Sequence, residues 1–121
     1  MQKYYDLQIY KRAINLIVDL YKFTKELPQS ENFGLKSQIQ RAGVSIALNI
    51  AEGCGTSSNK DFVNFLRISL KSTYELKAAL EVCYKLQYCT KNRIIKLYQE
   101  LDEIGAMING FIKKLSVASY Q

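Results

Sequence analysis

A run of residues in the second half of the chain recurs at alternating spacings of four and three. Its members are Phe62, Leu66, Ser69, Thr73, Leu76, Leu80, Cys83 and Gln87. At about 100° per residue, this spacing places the whole run on one face of an α-helix. Such a seam is typical of coiled coils and helix bundles. Its small polar middle needs polar partners or close helix packing, because buried hydroxyls are normally hydrogen-bonded.

The rest of the chain predicts three more helices of similar character. Asp6 is placed to cap the first helix, and Pro28 ends it. Ser58 opens the third with a capping-box-like pattern, and Thr90 caps the fourth. The predicted helices cover residues 6–27, 35–51, 58–87 and 91–115. Short connectors between long helices predict an all-α, antiparallel up-down four-helix bundle that forms one domain over residues 1–121.

The first predicted helix carries two apolar lines, which together cover more than half of its circumference. One core contact requires a stripe of only about 100°. Two interpretations remain open: the helix lies deep in its own bundle, or it buries its second face in a neighbouring subunit. A large apolar patch left in solvent would be a liability for a monomer.

The second predicted helix has a polar line beside its apolar stripe, where a surface helix normally places its polar residues opposite the core. This polar flank comprises Gln38, Arg41, Ser45, Asn49 and Glu52. The facing side of helix three offers Ser69, Ser72 and Glu75. We expect Arg41 to pair with Glu75, and Ser45 and Asn49 to find hydroxyl or backbone partners. The flank is interpreted as a structural network that sets helix register.

Composition favours an anionic partner and a reducing compartment. Lys and Arg number 17 against 11 Asp and Glu, for a net charge of +6, and the pI is about 9.2. Such a balance favours nucleic acid, an acidic protein or an anionic surface. No apolar segment reaches the roughly 20 residues of a membrane span, and the start lacks a signal-peptide pattern. With three cysteines in no metal-binding spacing, the protein is expected to be cytoplasmic, with reduced thiols and no membrane partner.

The residues that most enzymes need are missing. The chain has no histidine, no cysteine cluster suited to zinc and no phosphate-binding loop with its lysine. Glu52 and Glu75 are either a hydrolytic pair or structural ion-pair partners, and their cationic and hydroxyl neighbours favour the latter. We therefore predict no enzymatic activity, no cofactor and no metal.

Cationic residues form a stripe on helix three, opposite its core seam. The stripe comprises Lys60, Arg67, Lys71 and Lys85. Helix one carries a weaker version, made of Lys11, Lys22 and Lys25. Either these residues are an ordinary solvated face or they contact phosphates. A few lysine and arginine tips would bind a nucleic-acid backbone with little regard to sequence.

The sequence resembles the 23S rRNA intervening-sequence proteins, also called the four-helix-bundle protein family. The most specific part is Arg41-Ala42, Ser45-Ile46 and the run from Asn49 to Gly53. The likeness extends over Asp6-Leu7, Tyr10, Pro28, Gly34-Leu35, Gln38-Ile39, Ser58, Lys60, Asp61-Phe62, Phe65-Leu66, Ser72 and Glu75-Leu76. It departs at Thr56 and Ser57, where members often carry basic residues, and at Lys71, where a glycine is common.

The resemblance implies a four-helix bundle that assembles as a ring-shaped homopentamer. A similar protein is the accessory factor of diversity-generating retroelements, whose basic pentamer binds nucleic acid and a reverse transcriptase. The leading hypothesis is therefore a non-enzymatic, oligomeric bundle that binds RNA or DNA backbone. The alternative is a structural or protein-interaction module, for example an accessory subunit of a reverse transcriptase, with no direct nucleic-acid role.

Overall fold

Four long α-helices make up nearly all of the computed structural model, which describes residues 3–119 and their side chains through residue 117. They are α1 (Gln8–Thr24), α2 (Leu35–Cys54), α3 (Asn59–Lys85) and α4 (Lys91–Ser119). Two 3-10 turns, Tyr4–Asp6 and Gln29–Glu31, precede α1 and α2. Within residues 3–119 there is no strand, which confirms the all-α four-helix bundle. Residues 1, 2, 120 and 121 of the predicted domain lie outside the described part.

Consecutive helices pack side by side, and α2 and α3 form the most extensive pair. Helix α1 also meets α4, but more sparsely, and α1 and α3 do not touch. The helices α1 and α3 are therefore diagonal across the bundle, and their outer faces point in opposite directions.

The helix ends match the sequence pattern in two places and differ in two. Ser58 Oγ accepts a hydrogen bond from the backbone N–H of Asp61 at 3.1 Å, and Thr90 Oγ1 accepts from Arg93 at 3.3 Å. Both predicted caps are thereby confirmed. The predicted Asp6 cap is wrong, because Asp6 belongs to the 3-10 turn and Leu7 occupies the cap position. Helix α4 continues beyond its predicted end at residue 115.

Helix α3 ends two residues before the predicted position, at a Schellman turn. Gln87 adopts a left-handed conformation with φ of 65°. The backbone N–H of Tyr88 donates to the carbonyl of Cys83 at 2.9 Å, and that of Gln87 donates to Tyr84 at 2.9 Å. This pair of bonds closes the last turn of the helix. Glycine usually fills the left-handed position, so the 3.5-residue periodicity gave no sign of the stop.

The seam of α3 forms the centre of the core, including its polar middle. Ser69 and Thr73 are buried with Leu66, Leu76 and Leu80. Ser69 Oγ donates to the carbonyl of Ile46 on α2 at 2.9 Å, and Thr73 donates to its own helix at Leu70. These hydroxyls are satisfied, as a buried polar group requires.

Helix α1 buries only one of its two apolar lines. Ile9, Ala13, Leu16, Leu20 and Phe23 are in the core. On the other line and beside it, Ile14, Val18 and Tyr21 are exposed and Ile17 is half-buried. The interpretation that α1 lies deep in its own bundle is therefore wrong, and an apolar face is left on the surface.

Two glycines permit close helix packing. A Cβ at Gly43 would lie 2.6 Å from Leu20 Cδ1, so α2 approaches α1 closely there, which offsets the low helix propensity of glycine. A Cβ at Gly53 would lie 2.7 Å from the ring of Phe62 and 3.2 Å from Cβ of Phe65. Gly53 thus lets the end of α2 rest directly on the first turns of α3.

Candidate nucleic-acid interface

The polar flank of α2 joins α2 to α3 through a serine pair. Ser72 Oγ donates to Ser45 Oγ at 2.9 Å, and Asn49 Nδ2 donates to the same oxygen at 3.0 Å and to the Ser45 carbonyl at 2.9 Å. The expectation that Ser45 and Asn49 find hydroxyl and backbone partners is confirmed. These bonds fix the axial position of α2 against α3.

The predicted ion pair between Arg41 and Glu75 is wrong. Both side chains are exposed, and neither forms an ion pair with any residue that the structure describes. Counting along the two helices from their connecting loop puts the two residues about one turn apart, and the structure keeps that offset. Gln38 and Glu52, the ends of the flank, are also exposed. The flank is thus part network and part open surface.

The open part of the flank lines a broad groove of about 760 Å³ on the outer side of α2. Arg41 and Glu52 lie along it beside the apolar groups Tyr21 and Leu48, and Phe33 is fully exposed at its edge. Across residues 3–119, no cluster of three metal-ligating side chains occurs. The groove therefore offers mixed apolar and charged contacts, the character of a surface that meets another macromolecule.

The cations of the α3 stripe are all exposed, and three of them share a surface with α4. Arg67 borders a groove of about 690 Å³ together with Asn109, Gly110 and Lys113 of α4. Lys60 and Lys71 flank Arg67 on the same side of α3. We call Lys60, Arg67, Lys71 and Lys113 the cationic cluster. Along α3 it extends for roughly 16 Å, at 1.5 Å per residue.

The cationic cluster is distinguished by its lack of acidic partners. Elsewhere, Arg12 pairs with Glu100 and Glu103, Lys77 pairs with Asp102, and Arg93 pairs with Glu26. The carboxylates that hydrogen-bond to Arg12 raise its pKa above the usual range. No member of the cluster makes an ion pair within the described part of the chain. Its charge is therefore left to act on solvent and ligands.

Lys113 was not among the residues predicted from the sequence. It follows Asp102 by eleven residues, or three helical turns, and Asp102 is the residue that meets Lys77 of α3. Both therefore lie on the α3-facing side of α4. This signal becomes readable only when the axial offset between α3 and α4 is known.

The other predicted phosphate-contacting residues lie elsewhere. Lys85 is about 21 Å beyond Lys71 along α3, past the Lys77–Asp102 ion pair and the exposed Glu81. On α1, the exposed residues are Lys11, Lys22 and Lys25. Because α1 is diagonal to α3, they lie on the opposite side of the bundle. The predicted set is thus divided among three surfaces.

The antiparallel helices and their serine-linked α2–α3 pair define an all-α protein of the four-helix-bundle class. The chain belongs to the 23S rRNA-intervening sequence protein family, whose model matches residues 5–110. A solved structure from Bacteroides thetaiotaomicron, a protein of unknown function from the S23 ribosomal protein family, is similar. It is 28% identical, with a TM-score of 0.81, over 87% of this chain and 98% of that one.

Comparison with curated proteins gave no match. The family predicted from the Arg41 to Gly53 region is confirmed by the family model and by the solved relative. None of the helices in residues 3–119 combines the length and hydrophobicity that crossing a lipid bilayer requires.

Proposed function

We propose that the protein is a cytoplasmic, non-enzymatic, homo-oligomeric bundle that binds the backbone of RNA or DNA through the cationic cluster. The observation that carries the proposal is the contrast in charge pairing. Arginine and lysine side chains on three other surfaces have carboxylate partners, whereas the four cations between α3 and α4 have none among the described residues.

Unpaired cations on one surface repel one another and stabilise the folded chain little. They do attract polyanions, and they raise the rate of encounter with them. Lysine and arginine tips contact phosphates without reading bases. The binding proposed here is therefore largely independent of sequence.

Salt dependence of binding tests this function. Filter binding of a short RNA across a salt series should show a steep loss of affinity, because each phosphate contact releases counterions. Changing Lys60, Arg67, Lys71 and Lys113 together to Gln should flatten the plot of log affinity against log salt by about 3, from roughly 0.7 per contact on a single strand.

The matched control changes Lys11, Lys22 and Lys25 to Gln, which removes charge from the diagonal helix. This variant should keep the wild-type slope. If the cluster variant keeps that slope instead, the cationic cluster is not the binding surface. Loss of the slope in the α1 variant alone would move the site to α1.

The proposed assembly is a ring-shaped homopentamer, as the family resemblance implies. Exposed apolar residues on α1 and α2 support a subunit contact, because monomers rarely leave such a face uncovered. They are Ile14, Val18, Tyr21 and Leu48, with Phe33 beside them. In this arrangement the apolar α1–α2 face is buried between subunits and the cationic cluster stays accessible.

A second candidate function is a protein-interaction module, for example an accessory subunit of a reverse transcriptase, with no direct nucleic-acid role. The mixed apolar and charged groove on the outer side of α2 favours it. The salt series separates the two functions. A chain that binds no RNA even at low salt is left with the protein-interaction function.

A further inference from the structure

We infer that the polyanion is a single strand, whose backbone lies in the groove between Arg67 and Lys113 and one of whose bases stacks on Tyr74. This inference rests on the proposed function and names the form of nucleic acid that the cationic cluster accepts. It follows from the shape of the α3–α4 groove and from the placement of an exposed aromatic ring beside it.

The groove has cationic walls on two helices and an open floor. Arg67 stands on α3 and Lys113 on α4, with Ala106 and Gly110 between them. At Gly110, no heavy atom lies within 4 Å of the position that a Cβ would take. Packed helices are about 8–10 Å apart, so the crevice between their outer faces suits one sugar–phosphate chain.

A duplex fits this groove less well than a single strand. Its two backbones lie on a convex surface, separated by grooves about 6 and 12 Å wide. It would therefore touch the outermost cations without reaching the floor between Arg67 and Lys113. A single strand can lower its backbone between the two walls.

Tyr74 supplies a platform that only an unpaired base can use. It follows Arg67 by two helical turns, about 10 Å along the same face of α3. Its side chain is 59% exposed, and Lys77 Nζ lies 5.6 Å from its ring centroid. Lys77 is itself held by Asp102, so the ring is positioned from α4 as well. A basic groove with a neighbouring aromatic ring is the arrangement by which proteins bind single strands.

Fluorescence anisotropy on the full-length protein tests the inference with a labelled oligouridine and a duplex of the same length, about 12 nucleotides. Tyr74→Ser should weaken single-strand binding about tenfold and leave duplex binding unchanged. The control is Tyr5→Ser, because Tyr5 is 49% exposed and has Lys3 Nζ 5.6 Å from its ring centroid, away from α3. This control should bind as the wild type does.

Gly110→Leu tests the groove without altering charge or stacking. The added side chain enters open space, so the fold should be retained, as far-ultraviolet circular dichroism can show. The single strand should be bound severalfold more weakly, while duplex binding stays the same.

The outcomes separate this inference from the proposed function. If Tyr74→Ser leaves single-strand binding intact while the four-Gln cluster variant loses it, the stacking site is wrong and backbone binding stands. Equal losses for duplex and single strand would also overturn the inference. A wild-type chain that binds neither probe overturns both.

Discussion

The three thiols differ in their surroundings. Cys54 and Cys83 are buried, and Cys89 is half-buried in the loop that follows α3. Burial raises the pKa of Cys83 to about 11, because the thiolate would lose its hydration, and it raises the pKa of the other two thiols in the same direction. Since the thiolate is the reactive form, all three should be poor nucleophiles in the folded chain.

At pH 8, a thiol reagent should therefore label the native protein slowly, and at Cys89 first. All three cysteines should react at once in guanidinium. The folded-state pKa of Cys83 lies above the ordinary value of 9.0, so its contribution to stability is complete below about pH 9 and is lost as the pH rises through about 11. Mass spectrometry of the labelled peptides is the measurement, and early labelling of Cys83 would contradict the burial argument.

The α2–α3 pair shows which parts of an element contact can be read from a sequence. Helical wheels placed Ser45 and Asn49 opposite the hydroxyls of Ser69 and Ser72, and hydrogen bonds join these two groups. The wheel gives direction around a helix axis but not position along it. The Arg41–Glu75 pairing failed for that reason, and Lys113 was missed because the α3–α4 offset was equally unknown.

Removing the cross-helix hydroxyl at Ser72 should destabilise the bundle. Ser72→Ala breaks the bond to Ser45 and should lower the free energy of unfolding by about 1 kcal/mol, as for a typical buried hydrogen bond. Urea denaturation measures this change. Ser45→Ala combined with Ser72→Ala should cost less than the sum of the single changes, because the two hydroxyls share one bond.

The control for this series is Ser37→Ala, a serine of the same helix that lines the outer groove. It should change the free energy of unfolding by no more than about 0.5 kcal/mol. Strictly additive effects at Ser45 and Ser72 would show that the bond contributes nothing to stability.

At the scale of the whole molecule, the fold was predictable and the distribution of free charge was not. Alternating spacings of four and three identify long bundle helices whatever their partners are, so the class followed from the sequence. Which cations stay unpaired depends on which helix packs beside which. Arg12 meets Glu100 only because α1 and α4 are neighbours, and Arg67 stays free because Asn109 and Gly110 face it instead of acids.

The exposed α1–α2 face gives the prediction at this scale. Light scattering of the wild type should give the mass of a pentamer of the 13.9 kDa chain. Leu48→Lys should shift the mass toward the monomer, because an unpaired charge is costly in a buried contact. The matched control is Ile95→Lys, at a residue of α4 with 40% exposure, which should leave assembly unchanged. A monomeric wild type would refute the ring.

The contact between Gly53 and Phe62 has a consequence for sequence variation in the family. Because the ring of Phe62 fills the space that any side chain at Gly53 would need, neither position is free to change alone. A relative that enlarges the residue at 53 must shrink the one at 62, and one that keeps the ring must keep the glycine. The two positions, nine residues apart and on different helices, are thus inherited as a unit.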